Sequence, residues 1–112
     1  MTNITFLKTI LASFLVFAPA AYAAYPLQPN PEVTAGDMCT EDDHDFYDYR
    51  YPEEIAYCAR KVSSSQKRRI YEEYNIPEKC RHRYTIDHFI PLALGGNNSD
   101  VNLWPEHKLV KA

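Results

Sequence analysis

The chain is 112 residues long and carries 12 Lys+Arg against 15 Asp+Glu, a net charge of −3. This length allows one small domain with a small core, and the acidic balance argues against a uniformly basic nucleic-acid-binding surface. No segment after residue 23 is apolar enough to cross a membrane.

The charge is unevenly spread. Glu32 to Glu54 holds nine acids against Arg50, whereas Arg60 to Arg83 holds eight bases against Glu72, Glu73 and Glu78. Any phosphate-binding face would have to come from the second segment and the residues C-terminal to it.

The first element is an apolar run over residues 6–18 that carries one lysine, Lys8, and is closed by Pro19 and the small-residue sequence Ala21-Tyr22-Ala23. That layout reads as a signal peptide at 1–23, cleaved after Ala23. The run is shorter than the ~20 residues that span a bilayer, so the expected product is secreted or periplasmic, with no integral membrane association. Residues 24–51 read as an extended and acidic surface segment. Pro26, Pro29 and Pro31 give a linker, and "CTEDDHDFYDYRYPEE" has too many adjacent carboxylates for a helix interior. It is expected to wrap the body as a loop anchored by its aromatic side chains.

A first helix is predicted from Pro52, because Ile55, Cys58, Ala59 and Val62 recur at three- and four-residue steps. A second is predicted from "SSSQKRRIYEEYNIP": Ser63 and Gln66 have capping-box spacing, Ile70 and Tyr74 form an apolar stripe, and Asn75 and Pro77 end it. The basic connector "EKCRHR" leads into Tyr84–Leu94, whose aromatic and branched residues predict a strand interrupted by Pro91. Gly95-Gly96-Asn97-Asn98 marks a tight reversal with positive φ. Val101 to Trp104 is the predicted returning strand, with Trp104 in the core, and Pro105 the predicted start of a last helix. That helix has about two turns, below the ~12 residues that an isolated helix needs, so a truncated product is expected.

Cys39, Cys58 and Cys80 all lie beyond the expected cleavage site, where disulfides persist and a small domain gains from one. One bridge is expected, with 39–58, 58–80 and 39–80 all open. A zinc site using Cys80 and His82 competes with it, but no C-x-x-C pair supports one.

Asp87-His88 ends the apolar strand, the glycine turn comes next, and Asn102 lies on the return, within "IDHFIPLALGGNNSDVNLWPE". This stretch resembles the HNH endonuclease family and its ββα-metal fold. It is most similar to secreted or periplasmic members in which D-H-x-I-P-L-x-x-G-G is followed by N-L-W-P. The resemblance covers Tyr84 to about His107. It implies an α+β fold of two N-terminal helices followed by a ββα-metal hairpin-helix motif, with residues 52–112 forming an HNH nuclease-like domain whose last helix is incomplete.

The residue types suit phosphodiester hydrolysis, which needs a deprotonated water and a cation on the phosphoryl and leaving oxygens. The resemblance makes His88 the general base and Asn102 the residue that ties the loop and orients it. Asp87 would be a metal ligand; the second would be His107 in a shortened variant, since it lies only five residues beyond Asn102, or else a residue that this chain lacks, with His107 preferred. The ion would be one divalent metal, Mg²⁺ first, with Mn²⁺, Ni²⁺ or Zn²⁺ as alternatives. Neighbours on a regular strand point to opposite faces, so Asp87 and His88 can serve together only if the backbone is distorted there.

Arg68, Arg69, Arg81 and Arg83 are the candidate phosphate contacts, since guanidinium forks match phosphate oxygens. No base-reading helix is evident, so the implied activity is cleavage of nucleic acid, DNA ahead of RNA, with little sequence specificity. Taken singly, Asp87-His88 and the glycine turn carry no function. Two other outcomes therefore stand beside the enzyme: a non-catalytic nuclease-like domain that binds nucleic acid or metal, and a secreted disulfide-stapled interaction module.

Overall fold

The computed structural model describes residues 25–111; the expected signal peptide lies outside them. Among these residues no helix is long and apolar enough to cross a membrane. The domain is α+β, built from two antiparallel hairpins and one long helix, joined by short 3-10 turns. The expected pair of helices ahead of the hairpin is not formed.

The first hairpin replaces the helix predicted from Pro52. Strand β1, Phe46–Arg50, pairs with β2, Ile55–Cys58, in the register Asp48↔Tyr57 to Arg50↔Ile55. Aromatic and branched residues favour strands when they have cross-strand partners. Here the Arg50 guanidinium lies 3.5 Å from the Tyr57 ring centroid, and Tyr47 meets Tyr57 edge to face. The turn between the strands puts Tyr51 at φ 69° and Glu54 at φ 56° and is closed by Glu54 N–H donating to the Tyr51 carbonyl at 3.0 Å. That left-handed backbone is incompatible with a helix running through Pro52. Within the acidic segment only Phe46–Arg50 is therefore strand; the residues before and after it are turns and loop, as expected.

Helix α1, Ser64–Glu73, forms where its signals predict it. Ser63 Oγ accepts from the Gln66 amide and Gln66 Oε1 from the Ser63 amide, a complete capping box. Asn75, at φ 56°, ends the helix. The connector Glu78–Arg83 is a 3-10 turn.

Strand β3, Tyr84–His88, then pairs with β4, Leu103–His107, over the full register Tyr84↔His107 to His88↔Leu103. Pro105 lies inside β4 opposite Ile86 rather than opening a helix; helix α2 begins only at Lys108 and runs to Lys111. The core sits between this hairpin and α1. Ile70, Ile86 and Leu103 are buried there, with Val62, Tyr71 and Tyr74 against them, and Trp104 is buried on the other face of β4.

The segment ahead of β1 is tied to the second hairpin. Thr34 is 1% exposed, its hydroxyl donating to the Leu103 carbonyl and bonded to the Tyr74 hydroxyl at 2.6 Å. Met38 bridges to Gly96, and Cys39 N–H donates to the Gly95 carbonyl. A disulfide joins Cys39 to Cys58, leaving Cys80 free.

Candidate functional site

The loop between β3 and β4 is organised by two asparagines. Asn102, fully buried, accepts from the Ile90 amide at 2.9 Å and donates to the carbonyls of Ile90 and Asn97 at 3.1 and 2.8 Å. Gly95 takes φ 95°, and a Cβ on Gly96 would fall against the Ile90 carbonyl, so both glycines are required by the loop. Asn98 donates to the Asp45 carboxylate at 2.7 Å and to the Ala59 carbonyl at 2.8 Å, which orients its Oδ1 towards the Lys61 amide and His88.

His88 is consequently held by Asn98, not by Asn102. Its Nε2 lies 2.8 Å from Asn98 Oδ1, and since that oxygen can only accept, Nε2 carries the proton. Its Nδ1 then presents its lone pair to the Arg60 guanidinium at 3.4 Å. Burial lowers the imidazole pKa, opposed by the Asn98 hydrogen bond and supported by the Arg60 charge. The ring is thus a neutral imidazole with both nitrogens occupied, rather than a base facing a water.

Asp87 and His107 do not form a metal pair. On regular antiparallel strands directly opposed residues share a face and neighbours alternate. Asp87, opposite Trp104, therefore faces away from the side that carries Tyr84 and its partner His107. Burial disfavours the Asp87 charge, but hydrogen bonding with Glu106, Lys111 and Thr85 outweighs it and holds the carboxyl below its ordinary pKa. Lys111 Nζ bonds both of its oxygens, at 3.1 and 3.2 Å. His107 is stacked under Tyr25, with ring centroids 3.9 Å apart, and its Nδ1 accepts the Leu109 amide. The expected endonuclease centre is overturned here: β3 is undistorted, so Asp87 and His88 diverge, and the ammonium of Lys111 stands where a cation would have to bind. The divalent ion expected on Asp87 and His107 does not fit these residues.

The one group of three or more acidic, His or Cys side chains among the described residues that can converge on an ion is Cys39, Asp43 and Cys58. Their donor atoms lie within 4.8 Å of one another and both sulfurs are buried. In the sequence, two of these residues stand out only as possible disulfide partners, and nothing in their spacing marks Asp43 as the third member. While the disulfide is closed the sulfurs carry no thiolate charge, so the S₂O donor set exists only after reduction.

The candidate phosphate contacts are scattered. Arg69 is bound in a fork to Asp100, at 2.8 and 3.1 Å. Arg81 donates to the Ile76 carbonyl and lies over Tyr71. Arg68 lies on the exposed side of α1, and Arg83 lines a pocket beside Tyr84 and His107. A basic cleft of about 430 Å³ forms elsewhere, where Arg60, Lys67 and Lys111 surround Asp87 with Tyr71 in the wall. Among the described residues neither Arg60 nor Lys67 is paired with an acid. The only sequence signal for Arg60 and Lys67 is their place in the basic segment, and Lys111 lies outside it; the second hairpin, α1 and α2 bring the three together.

Comparison with known protein families, with characterised proteins and with solved structures returns no match.

Proposed function

We propose that this domain is a disulfide-stapled, non-catalytic binding module that holds the phosphate backbone of nucleic acid, retaining an HNH-like hairpin without its reaction centre. The basic cleft carries this reading. Arg60 and Lys67, neither paired with an acid among the described residues, stand beside the Lys111–Asp87 pair in one concave site, which leaves the positive charge that phosphate binding needs. His88 serves there by positioning Arg60, whose guanidinium also donates to the Ile86 carbonyl at 3.3 Å. The disulfide suits an oxidising compartment.

The test is titration of a fluorescent oligonucleotide at several salt concentrations, with and without EDTA. Binding is expected to weaken steeply with salt and to be indifferent to chelator. Lys67→Glu, an exposed change on α1, is expected to flatten the salt dependence by about one phosphate contact, a slope change of ~0.7–0.9. Salt-independent binding, or a Lys67→Glu variant that binds like the parent, would overturn the proposal.

A second reading belongs to the Cys39/Asp43/Cys58 cluster, which can coordinate a metal ion when reduced. Zn²⁺ titrated into reduced chain is expected to bind with release of protons, and into oxidised chain not at all at this site. Equal binding by both would place the metal elsewhere.

A further inference from the structure

We infer that the nucleic acid this domain takes is single-stranded, and that one of its bases stacks on His107 in place of Tyr25; this rests on the phosphate-binding reading above. The basic cleft does not stand alone. On the other side of Tyr84 lies a pocket of about 690 Å³ whose wall includes Tyr25, Tyr74, Tyr84, His107, Arg83 and Asn75. Tyr84 lines both cavities, and the short helix α2 contributes Leu109 to one and Lys111 to the other. A chain with its phosphates against Arg60 and Lys67 thus has an aromatic recess beside it, with Tyr84 in the walls of both.

Within that recess a stacking place is already built and filled. The Tyr25 ring lies nearly parallel to His107, 3.9 Å between centroids and 17° between planes, while Tyr84 meets His107 at 83° and 4.9 Å. The Leu109 amide, donating to Nδ1, fixes the His107 ring. A flat ring against a fixed flat ring is the contact that an unpaired base makes on an aromatic platform, and it is tolerant of base identity. Bases inside a duplex are stacked on each other and cannot enter such a recess. Tyr25, by contrast, sits at the edge of the domain on a proline-rich segment, so its ring can leave without opening the core. Arg83 stands at the same recess to meet a flanking phosphate, and the Asn75 amide can bond a base edge.

The experiment is fluorescence anisotropy on the chain with three labelled probes: a single-stranded oligonucleotide, its duplex, and an abasic oligomer of the same sugar-phosphate length. The single strand is expected to bind about tenfold more tightly than the abasic oligomer. Tyr25→Ala, checked for folding by circular dichroism, is expected to tighten single-strand binding severalfold and leave the abasic oligomer unchanged, because it removes the internal competitor. His107→Phe should keep the preference for bases, and His107→Leu should lose it. Equal affinity for the single-stranded and abasic probes, or a Tyr25→Ala variant that binds the single strand no better, overturns the stacking exchange; if Lys67→Glu still weakens all probes, the phosphate-binding reading survives. If Lys67→Glu changes nothing, both fall together.

Discussion

His88 is a half-buried imidazole held at both nitrogens by residues from other segments. Burial lowers the His88 pKa, against the hydrogen bond from Nε2–H to Asn98, and the Arg60 guanidinium beside Nδ1 adds to the fall, because protonation would put a second cation against it. The folded state thus binds the proton less readily than the unfolded chain. His88 therefore contributes stability that is present above the ordinary histidine pKa of ~6.5 and is lost as pH falls through that value and below. Thermal unfolding across pH 5–7 is expected to show this loss. His88→Gln, whose amide can still donate to Asn98, should flatten it; an equal slope in the variant would mean another group titrates. Asn102 poses a different test. Asn102→Ala would strand the Ile90 and Asn97 backbone groups that it satisfies, for a loss of about 3 kcal/mol, measurable by urea denaturation. In the sequence His88 and Asn102 are legible as residues to watch only through the resemblance of the stretch that carries them to the HNH family, since neither stands out singly. The sequence does not reveal that Asn98 is the partner of His88, since that bond depends on Asp45 and Ala59 fixing the amide from distant segments.

Among the elements, α1 is readable because its signals are local: a capping box, one apolar stripe and an asparagine terminator all fall within the helix and its flanks. Ser63→Ala is expected to lose about 1 kcal/mol through that cap. The β1–β2 hairpin carries a misleading helical signature because Ile55, Cys58, Ala59 and Val62 satisfy a helical period by coincidence, while the Ile55/Tyr57 alternation that matters lies in a strand only four residues long. What decides between them is non-local: pairing with β1, the Arg50–Tyr57 contact and the tie from Cys58 to Cys39. Glu54 bears a backbone penalty for the turn at φ 56°. Glu54→Gly is expected to gain about 0.5–1 kcal/mol in chemical denaturation; a loss would mean that the glutamate side chain supports the turn. Pro105 misleads in the same way, since a proline that could open a helix is also tolerated in a two-stranded sheet, where one side of each strand lacks a ladder partner.

For the molecule as a whole, the staple is expected to matter most. The Cys39–Cys58 bridge closes a loop of sequence separation 19, which corresponds to about 3 kcal/mol of unfolded-state entropy. A Cys39→Ser/Cys58→Ser variant should unfold at correspondingly lower denaturant, and Cys80→Ser should not. The overall architecture is illegible in the sequence for the same reason that it is stable: it rests on contacts between segments far apart in the chain, such as Met38 with Gly96 and Thr34 with Leu103, which no local pattern encodes.

Those distant contacts also govern when the domain can assemble. Tyr25 rests on His107, Thr34 on Tyr74 and Leu103, Gly36 on Val101, and Asp37 on Asn97. The proline-rich segment precedes all of these partners in the chain, so it has no place to dock until β4 has formed. Docking of this stretch is therefore coupled to completion of the second hairpin: chains cut short before residue 103 should remain protease-sensitive from Tyr25 to Cys39, and protection should arrive in one step once that hairpin can close.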